Sequence, residues 1–390
     1  MSRGTVSVLH VITKLELGGA QQVALHTVGN LDRNRFSAAL MAGPGGLLNE
    51  EAERLEGVRF SVVPHLIRSI RPWSDLRAYR ELRHAIREVK PDIVHTHSSK
   101  AGVLGRLAAA AEGVPTILHT IHGFGISAIG NRALQRALLA AERAAARKTT
   151  HFVAVSRENI EAGIDFGLFD EDKVTLIHAG VPLRTFREAS YRPELADELG
   201  IPRGAPVVGT ISCFKPQKAP LDFVELAAHV HVGEPEARFL MVGDGELRPQ
   251  IEARVHELGL EGVVILAGWR HDVPELLKLM RVSVLTSLWE GLPMVIPQSL
   301  SAGVPVVVTR VGGSAEAVRE GETGFVCEAR DIGAMAERTL HLLRDTEAAA
   351  AMGRAGPDSV AAWDVDRMVR DTERLYIRLL EGREGEEREK

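Results

Sequence analysis

The sequence predicts two α/β domains, each built on a parallel sheet, and three observations predict it: the length of the chain, an alternation of short apolar runs with longer amphipathic ones, and a restart of that alternation past the midpoint. At 390 residues the chain exceeds the size at which one hydrophobic core stops growing. Short β-branched runs separated by helical stretches are the pattern of repeated βα units. In the first half, strands are predicted at Val6–Ile12, Ala38–Met41, Ser61–Val63, Ile93–His97, Thr116–Thr120, Phe152–Ala154 and Val174–Ile177. Between them, Val103–Ala111 and Leu134–Ala146 have the Ala-rich composition of helices. From Val181 to Pro206 four prolines and two glycines loosen the pattern, which reads as a linker. Strands then resume at Val207–Ile211, Arg238–Val242, Val263–Ala267, Val282–Thr286, Val306–Thr309 and Gly324–Val326. The predicted organisation is a first domain over 1–190, a second over 205–363, a helix over 364–380 that returns to the first domain, and a charged, disordered tail over 381–390.

Composition narrows the class of protein. With 45% hydrophobic and 25% charged residues the chain is an ordinary globular one, and a formal charge of −5 argues against a protein built around nucleic acid. Two cysteines, Cys213 and Cys327, form neither a disulfide framework nor a metal-ligand spacing, so a reducing compartment is expected and zinc is not; no other metal or cofactor is called for. The N-terminal apolar run is one strand long, shorter than the core of a signal peptide, and no run approaches the roughly 20 apolar residues that span a bilayer. A cytoplasmic protein is expected, in peripheral contact with the inner face of the membrane.

Several glycine turns follow predicted strands. Gly18-Gly19 precedes an amphipathic helix, Gly243-Asp244-Gly245 follows a strand, and Gly312-Gly313-Ser314 precedes a helix. Glycine lets backbone approach a ligand, and a helix start offers unpaired N–H groups to an anion, although such turns also occur for purely structural reasons. The stretch Thr286 to Gln298 is more informative. Its Pro293 suits the first turn of a helix, which would expose the amides of Gly291 and Leu292 to a diphosphate, and Glu290 beside them would suit sugar hydroxyls. Lys215 and Lys218 lie in the loop after the first strand of the second half; alone they would read as solvated lysines. In an open α/β sheet, however, ligands bind outside the carboxyl ends of the strands, where all these residues fall.

Taken together, Glu290-Gly-Leu-Pro, Ala302-Gly-Val-Pro-Val-Val, Gly312-Gly313, Lys215-Pro-Gln-Lys218 and Val242-Gly-Asp-Gly-Glu246 resemble glycosyltransferase family 4, retaining enzymes of the GT-B architecture. The resemblance runs from the Gly18-Gly19 loop to the C-terminal helix and implies two Rossmann-like domains facing a central cleft. It implies a nucleotide-sugar donor, taken to be UDP-linked, and a polysaccharide or lipid-linked acceptor. It assigns Lys218 to the donor diphosphate, Glu290 and His122 to the transferring sugar, and Gly18, Gly19, Lys215, Gly243, Gly291, Leu292, Pro293 and Gln298 to donor binding. Two positions depart from the family pattern. Cys213 stands where an arginine is usual, leaving Lys215 to supply that charge, and Gln298 stands where a second glutamate is usual, losing charge assistance on the ribose. His97, Ser98 and Lys100, at the end of another predicted strand, are candidates for the acceptor.

On this reading, lysines and amides stabilise the departing diphosphate without a metal. No general base stands out, and in the family the leaving phosphate oxygen is held to take the acceptor's proton. Asp364-Val365-Asp366 spells a metal motif but reads better as a helix start. Between Ser69 and Lys90 six positive residues face three negative ones, with Trp73, Leu76, Tyr79, Leu82 and Ile86 interleaved. This is either a solvated basic helix or a surface for an anionic membrane or a lipid-pyrophosphate-linked acceptor. The rival readings are a nucleotide-sugar epimerase and a non-catalytic sugar-binding protein; an NAD-dependent dehydrogenase fits poorly, lacking G-x-G-x-x-G after the first strand.

Overall fold

The short apolar runs bounded by Gly, Pro and polar residues become strands in the computed structural model, which describes residues 5–125 and 130–388, without the side chains of 383–388. The chain divides into two compact units, Met1–Gly180 with Val365–Lys390, and Val181–Asp364. In the first unit β1 (Val6–Ile12), β2 (Phe36–Ala42), β3 (Val58–Val62), β4 (Ile93–His97), β5 (Thr116–Ile121), β6 (His151–Ala154) and β7 (Val174–Leu176) form a sheet in the order β3-β2-β1-β4-β5-β6-β7. The second holds β8 (Val207–Ile211), β9 (Arg238–Val242), β10 (Val264–Gly268), β11 (Val282–Leu285), β12 (Val306–Thr309) and β13 (Gly324–Cys327) in the order β10-β9-β8-β11-β12-β13. Neighbouring strands pair in parallel throughout both sheets.

A parallel strand must be crossed back by a helix, and helices on both faces bury the central strands completely. Every residue of β4 and β5 is buried, whereas edge strands β3 and β7 are partly exposed. Leu9, Val11, Val94, Leu82, Ile86 and Ala101 share one core of the first unit; Leu82 and Ile86 reach it from the helix Pro72–Val89, which starts with proline at its first turn. Burying each such side chain is worth roughly 1.5–3 kcal/mol. In the second unit Phe214, Phe223, Phe239 and Met335 do the same.

Two expectations change. The residues read as a linker belong to the second unit and carry short helices at Leu183–Arg187 and Pro193–Glu198. The prolines and glycines there punctuate tight local structure: Pro193 starts a helix, and Gly200 and Gly204 turn the chain at positive φ. The last helix runs Val365–Arg388, past the expected end at 380, since the Glu and Arg of its tail are good helix formers. Only Glu389 and Lys390 of that tail lie outside the described residues. Met368, Val369, Leu375 and Tyr376 of this helix are buried in the first unit.

In both sheets the strand order reverses once, between β1 and β4 and between β8 and β11, and these switch points open a crevice at the carboxyl ends of the strands. The loop after β1 is fixed there by close backbone contact: Gly43 donates to the Thr13 carbonyl at 3.0 Å, and Leu48 donates to that of Leu15 at 2.9 Å. A Cβ on Gly43 would lie 1.9 Å from the Leu66 carbonyl oxygen and 2.4 Å from that of Thr13. Gly43→Ala is therefore expected to displace backbone and to destabilise the protein by about 1–3 kcal/mol, read as a lowered urea midpoint with an unchanged slope.

Candidate active site

In the second unit, the loops after β8 and β11 flank the switch point and are stitched together. Thr286 Oγ1 donates to the carbonyls of Lys218 and Ala219 at 3.0 Å each, Leu288 N–H donates to the Gln217 carbonyl at 2.8 Å, and the Gln217 amide donates to the Trp289 carbonyl at 2.9 Å. This stitching brings the Lys218 ammonium onto the Glu290 carboxylate in an ion pair whose side chains are 17% and 6% exposed. Ser287 Oγ also donates to Glu290, at 2.6 Å. An ion pair so little exposed keeps most of its Coulomb attraction, while removing one partner leaves the other buried and unpaired. Lys215, three residues earlier, is half-buried, and among the described residues its ammonium has no carboxylate partner.

Glycines hold this cluster by letting backbone approach backbone. Gly312 lies at φ 51, with a hypothetical Cβ 2.2 Å from the Glu290 carbonyl oxygen, and Gly313 N–H donates to the Gly291 carbonyl at 2.8 Å. Among the described residues the buried hydroxyl of neighbouring Ser314 has no protein partner. Gly243, at φ 132, presses against the Ser212 carbonyl oxygen, where a Cβ would stand 1.9 Å away. The Gly291–Pro293 segment departs from expectation. The helix here is Val295–Ser301, so Pro293 precedes it and the amides of Gly291 and Leu292 lie in a loop, not at a helix start. A proline disfavours the helical region for the residue before it, which keeps Leu292 out of the helix. Gln298 lies inside the helix, partly exposed.

In the first unit, Gly18 and Gly19 open the helix Gly19–Asn30 after β1, on one side of the switch point. On the other side, β4 ends at His97 and Ser98 turns the chain at φ 61 and ψ 157, a region that only glycine enters readily. Thr13 holds it there: its N–H donates to Ser98 Oγ at 3.2 Å and the two hydroxyls lie 2.7 Å apart. Lys100 donates to the Ser69 carbonyl and pairs with Asp75 at 2.6 Å, so its charge anchors the start of the basic helix. His122 lies just past β5, half-buried beside a cavity of about 50 Å³ whose wall includes Ser98, Ser99, Phe124 and Glu142.

His97, expected at the rim, is instead interior. It is 1% exposed, and both ring nitrogens are bonded inside the unit, Nε2 to His10 Nδ1 and Nδ1 to His122 Nε2, each at 3.0 Å. The parallel register places His10 opposite His95 and His97 opposite Thr120, so all four share one face of the sheet. Tyr376 of the C-terminal helix covers that face, its hydroxyl 2.6 Å from His95 Nδ1 and 3.0 Å from His10 Nε2. Sequence reasoning overlooked His10, His95 and Tyr376. The His-x-His spacing at 95 and 97, which puts both rings on one side of a strand, was the available signal. Among the described residues the only cluster of three possible metal ligands is His10, His95 and His97; Asp364 directly precedes the last helix and Asp366 lies in its first turn.

Comparison with known proteins gives the site a context. The profile of glycosyl transferases group 1 matches residues 192–359, and that of glycosyltransferase family 4 matches residues 17–185. The chain is 34% identical over 331 residues to UDP-Gal:alpha-D-GlcNAc-diphosphoundecaprenol alpha-1,3-galactosyltransferase of Escherichia coli, covering 84% of this chain and 85% of that one. It is 27% identical to N-acetyl-alpha-D-glucosaminyl L-malate synthase of Bacillus anthracis, over 79% of this chain and 80% of the relative. The fold matches Anabaena HepE, solved in complex with UDP-glucose, at a TM-score of 0.81 with 20% identity, over 95% of this chain and 99% of that one.

The buried histidines make stability depend on pH. Burial lowers the pKa of His10 to about 3 and that of His122 to about 4; burial and then neighbouring rings push His95 and His97 well down. Each is neutral when folded but takes up a proton below about 6.5 when unfolded. The unfolded chain therefore binds more protons below that value, and stability is full above it and lost as pH falls. As pH falls from 6.5 toward 4 a progressive loss of stability is therefore expected, read as a falling Tm that His10→Asn makes shallower.

Proposed function

We propose that this chain, which belongs to the family 4 glycosyltransferases (glycosyl transferases group 1), moves a sugar from a UDP-linked donor onto a lipid-diphosphate-linked saccharide, with retention and without a metal. The observation that carries the donor half is the cluster at the β8/β11 switch point, where Lys218 pairs with Glu290, Gly291 and Leu292 directly follow that carboxylate in the chain, and Lys215 lies in the same loop as Lys218. Breaking the bond between the anomeric carbon and the diphosphate leaves negative charge on phosphate and positive character on the sugar. Groups fixed where that charge develops lower the barrier more than groups that bind substrate and transition state alike. Lys218 and Lys215 take the phosphate oxygens, each charge-assisted hydrogen bond being worth roughly 1.5–3 kcal/mol. Glu290, released from Lys218 by the donor, accepts hydrogen bonds from sugar hydroxyls; Gly243 allows close backbone approach and Gln298 takes the ribose. In the first unit the Gly18-Gly19 turn and His122 meet the donor.

The acceptor half rests on the Escherichia coli relative, whose name describes a saccharide on a lipid diphosphate. The acceptor hydroxyl oxygen bonds to the anomeric carbon as the phosphate bond breaks, and its proton passes to the departing phosphate oxygen, so no separate base is needed. Ser98 and Lys100 stand at the rim that would meet this acceptor.

The basic helix fits the same reading. Leu82 and Ile86 face inward, and Arg83 and Arg87 are spent on Glu112, but Trp73 is 81% exposed, with Ile70, Arg77 and Arg80 exposed around it. An amphipathic aromatic among cations suits an anionic lipid surface. No helix among the described residues is long and apolar enough to cross a membrane, so contact with lipid would be peripheral.

Incubation with UDP-galactose, UDP-glucose or UDP-N-acetylglucosamine and a synthetic GlcNAc-diphospho-lipid should yield an acceptor heavier by one sugar, α-linked by NMR, and undiminished by EDTA. Lys218→Ala should lower kcat by about 10²–10³. Inversion of configuration, a requirement for a divalent ion, or UDP release without transfer would each overturn the corresponding part. Trp73→Ala with Arg77→Glu should weaken sedimentation with phosphatidylglycerol vesicles while leaving transfer to a short, soluble acceptor unchanged.

A further inference from the structure

Six side chains of the first unit form one continuous line of hydrogen bonds. Thr120 Oγ1 lies 2.6 Å from His95 Nε2, His95 Nδ1 lies 2.6 Å from the Tyr376 hydroxyl, and that hydroxyl lies 3.0 Å from His10 Nε2. His10 Nδ1 then lies 3.0 Å from His97 Nε2, and His97 Nδ1 lies 3.0 Å from His122 Nε2. Three of the four rings and both hydroxyl-bearing residues are buried; His122, at the rim, is partly exposed.

All four rings are neutral near pH 7, because burial holds their pKa values down. A neutral imidazole donates from one nitrogen and accepts at the other. The line therefore holds one movable proton per residue for five contacts, and each contact needs one proton. If any ring were reversed alone, two lone pairs or two protons would face each other in a buried site. Only two arrangements satisfy every contact, with all donors pointing toward His122 or all pointing toward Thr120.

The two ends are not equivalent. With donors pointing toward Thr120, the Thr120 hydroxyl accepts from His95 and must place its own proton elsewhere, yet it is 3% exposed and has no second partner among the described residues. With donors pointing toward His122, Thr120 donates to His95, Tyr376 donates to His10, and the surplus proton sits on His122 Nδ1 at the half-exposed rim. An unsatisfied polar group is costly when buried and nearly free where water or ligand reaches it. A metal at His10, His95 and His97 is a poorer account of the same rings. All six of their nitrogens are already paired, and the His95–His97 and His10–His97 rings are stacked, whereas lone pairs that share an ion must converge in the ring planes.

We propose that the Thr120–His95–Tyr376–His10–His97 line fixes His122 as the tautomer with its proton on Nδ1, so that His122 presents a hydrogen-bond donor at the rim. Tyr376 and His10 are positioning residues for it, acting from the C-terminal helix and β1. What the outward N–H serves rests on the proposed transfer, in which it donates to an oxygen of the donor sugar; the tautomer itself does not.

The full chain, labelled with ¹⁵N-histidine and free of substrate, tests this at pH 7.5 by long-range ¹H–¹⁵N correlation, with His122→Gln to assign the resonance. His122 should carry its proton on Nδ1. Tyr376→Phe, which removes the bridging hydroxyl, and Thr120→Val, which removes the terminal donor from the other end, should each shift His122 toward the Nε2 tautomer or a mixture. Both should lower kcat about 5–10-fold with donor KM changed less than twofold. A wild-type His122 protonated on Nε2, or a tautomer indifferent to the folded variants, would overturn the proposal. If the tautomer responds as expected but His122→Gln transfers sugar normally, the role given to His122 in transfer fails while the proton line stands.

Discussion

Glu290 and Lys218 are held against each other with little water around them, and much of the second unit follows from keeping them there. An ammonium and a carboxylate brought so close gain Coulomb energy only if their backbones are fixed, because otherwise the loss of side-chain freedom offsets it. The fixing is done by backbone: Thr286 and Leu288 bond to the carbonyls of the Gln217–Ala219 turn, and Gly312 presses on the Glu290 carbonyl. Ala219, forced to φ 43, shows how tightly that turn is drawn. Preorganisation of this kind is what a site needs if it is to meet charge that appears only as a bond breaks.

The strands were legible because they are short apolar runs, most of them rich in Val, Ile, Leu or Phe, bounded by breakers, and the parallel topology followed from the helices between them. The placement of Lys215, Lys218, Gly243 and Glu290 at strand ends was legible for the same reason. Pro293 misled, since a proline that can begin a helix can equally end the extended segment before one, and sequence does not separate the two. The density of Pro and Gly at 181–206 misled likewise, because residues that break long elements also cap short ones. The bonds of His95 to Tyr376 and of Tyr376 to His10 join residues 281 and 366 positions apart, which no local periodicity can reveal.

Family membership favours transfer over the epimerase and binding-protein readings, but the chain's own departures set the details. With Cys213 where the family pattern has arginine, the positive charge near the β8 loop rests on two lysines three residues apart, one paired with Glu290 and the other not. A lysine is a point charge on a flexible stem, whereas arginine grips two oxygens at once. In the proposed donor site, phosphate binding would therefore depend more on where the backbone aims Lys218 than on the geometry of the charged group itself, which ties that chemistry back to the stitched turn.

In the first unit the equivalent constraint is Ser98. Its backbone lies in a region that costs a non-glycine residue of order 1–3 kcal/mol, and such strain persists only where the surroundings over-determine it. Thr13, from the loop after β1, supplies two of the restraining hydrogen bonds, so the strain is held across the switch point. Ser98 directly follows His97, so the strained residue closes β4 where the His97 ring meets His122. The strained turn and the buried histidines thus meet at one place, where the polar line reaches the edge of the sheet.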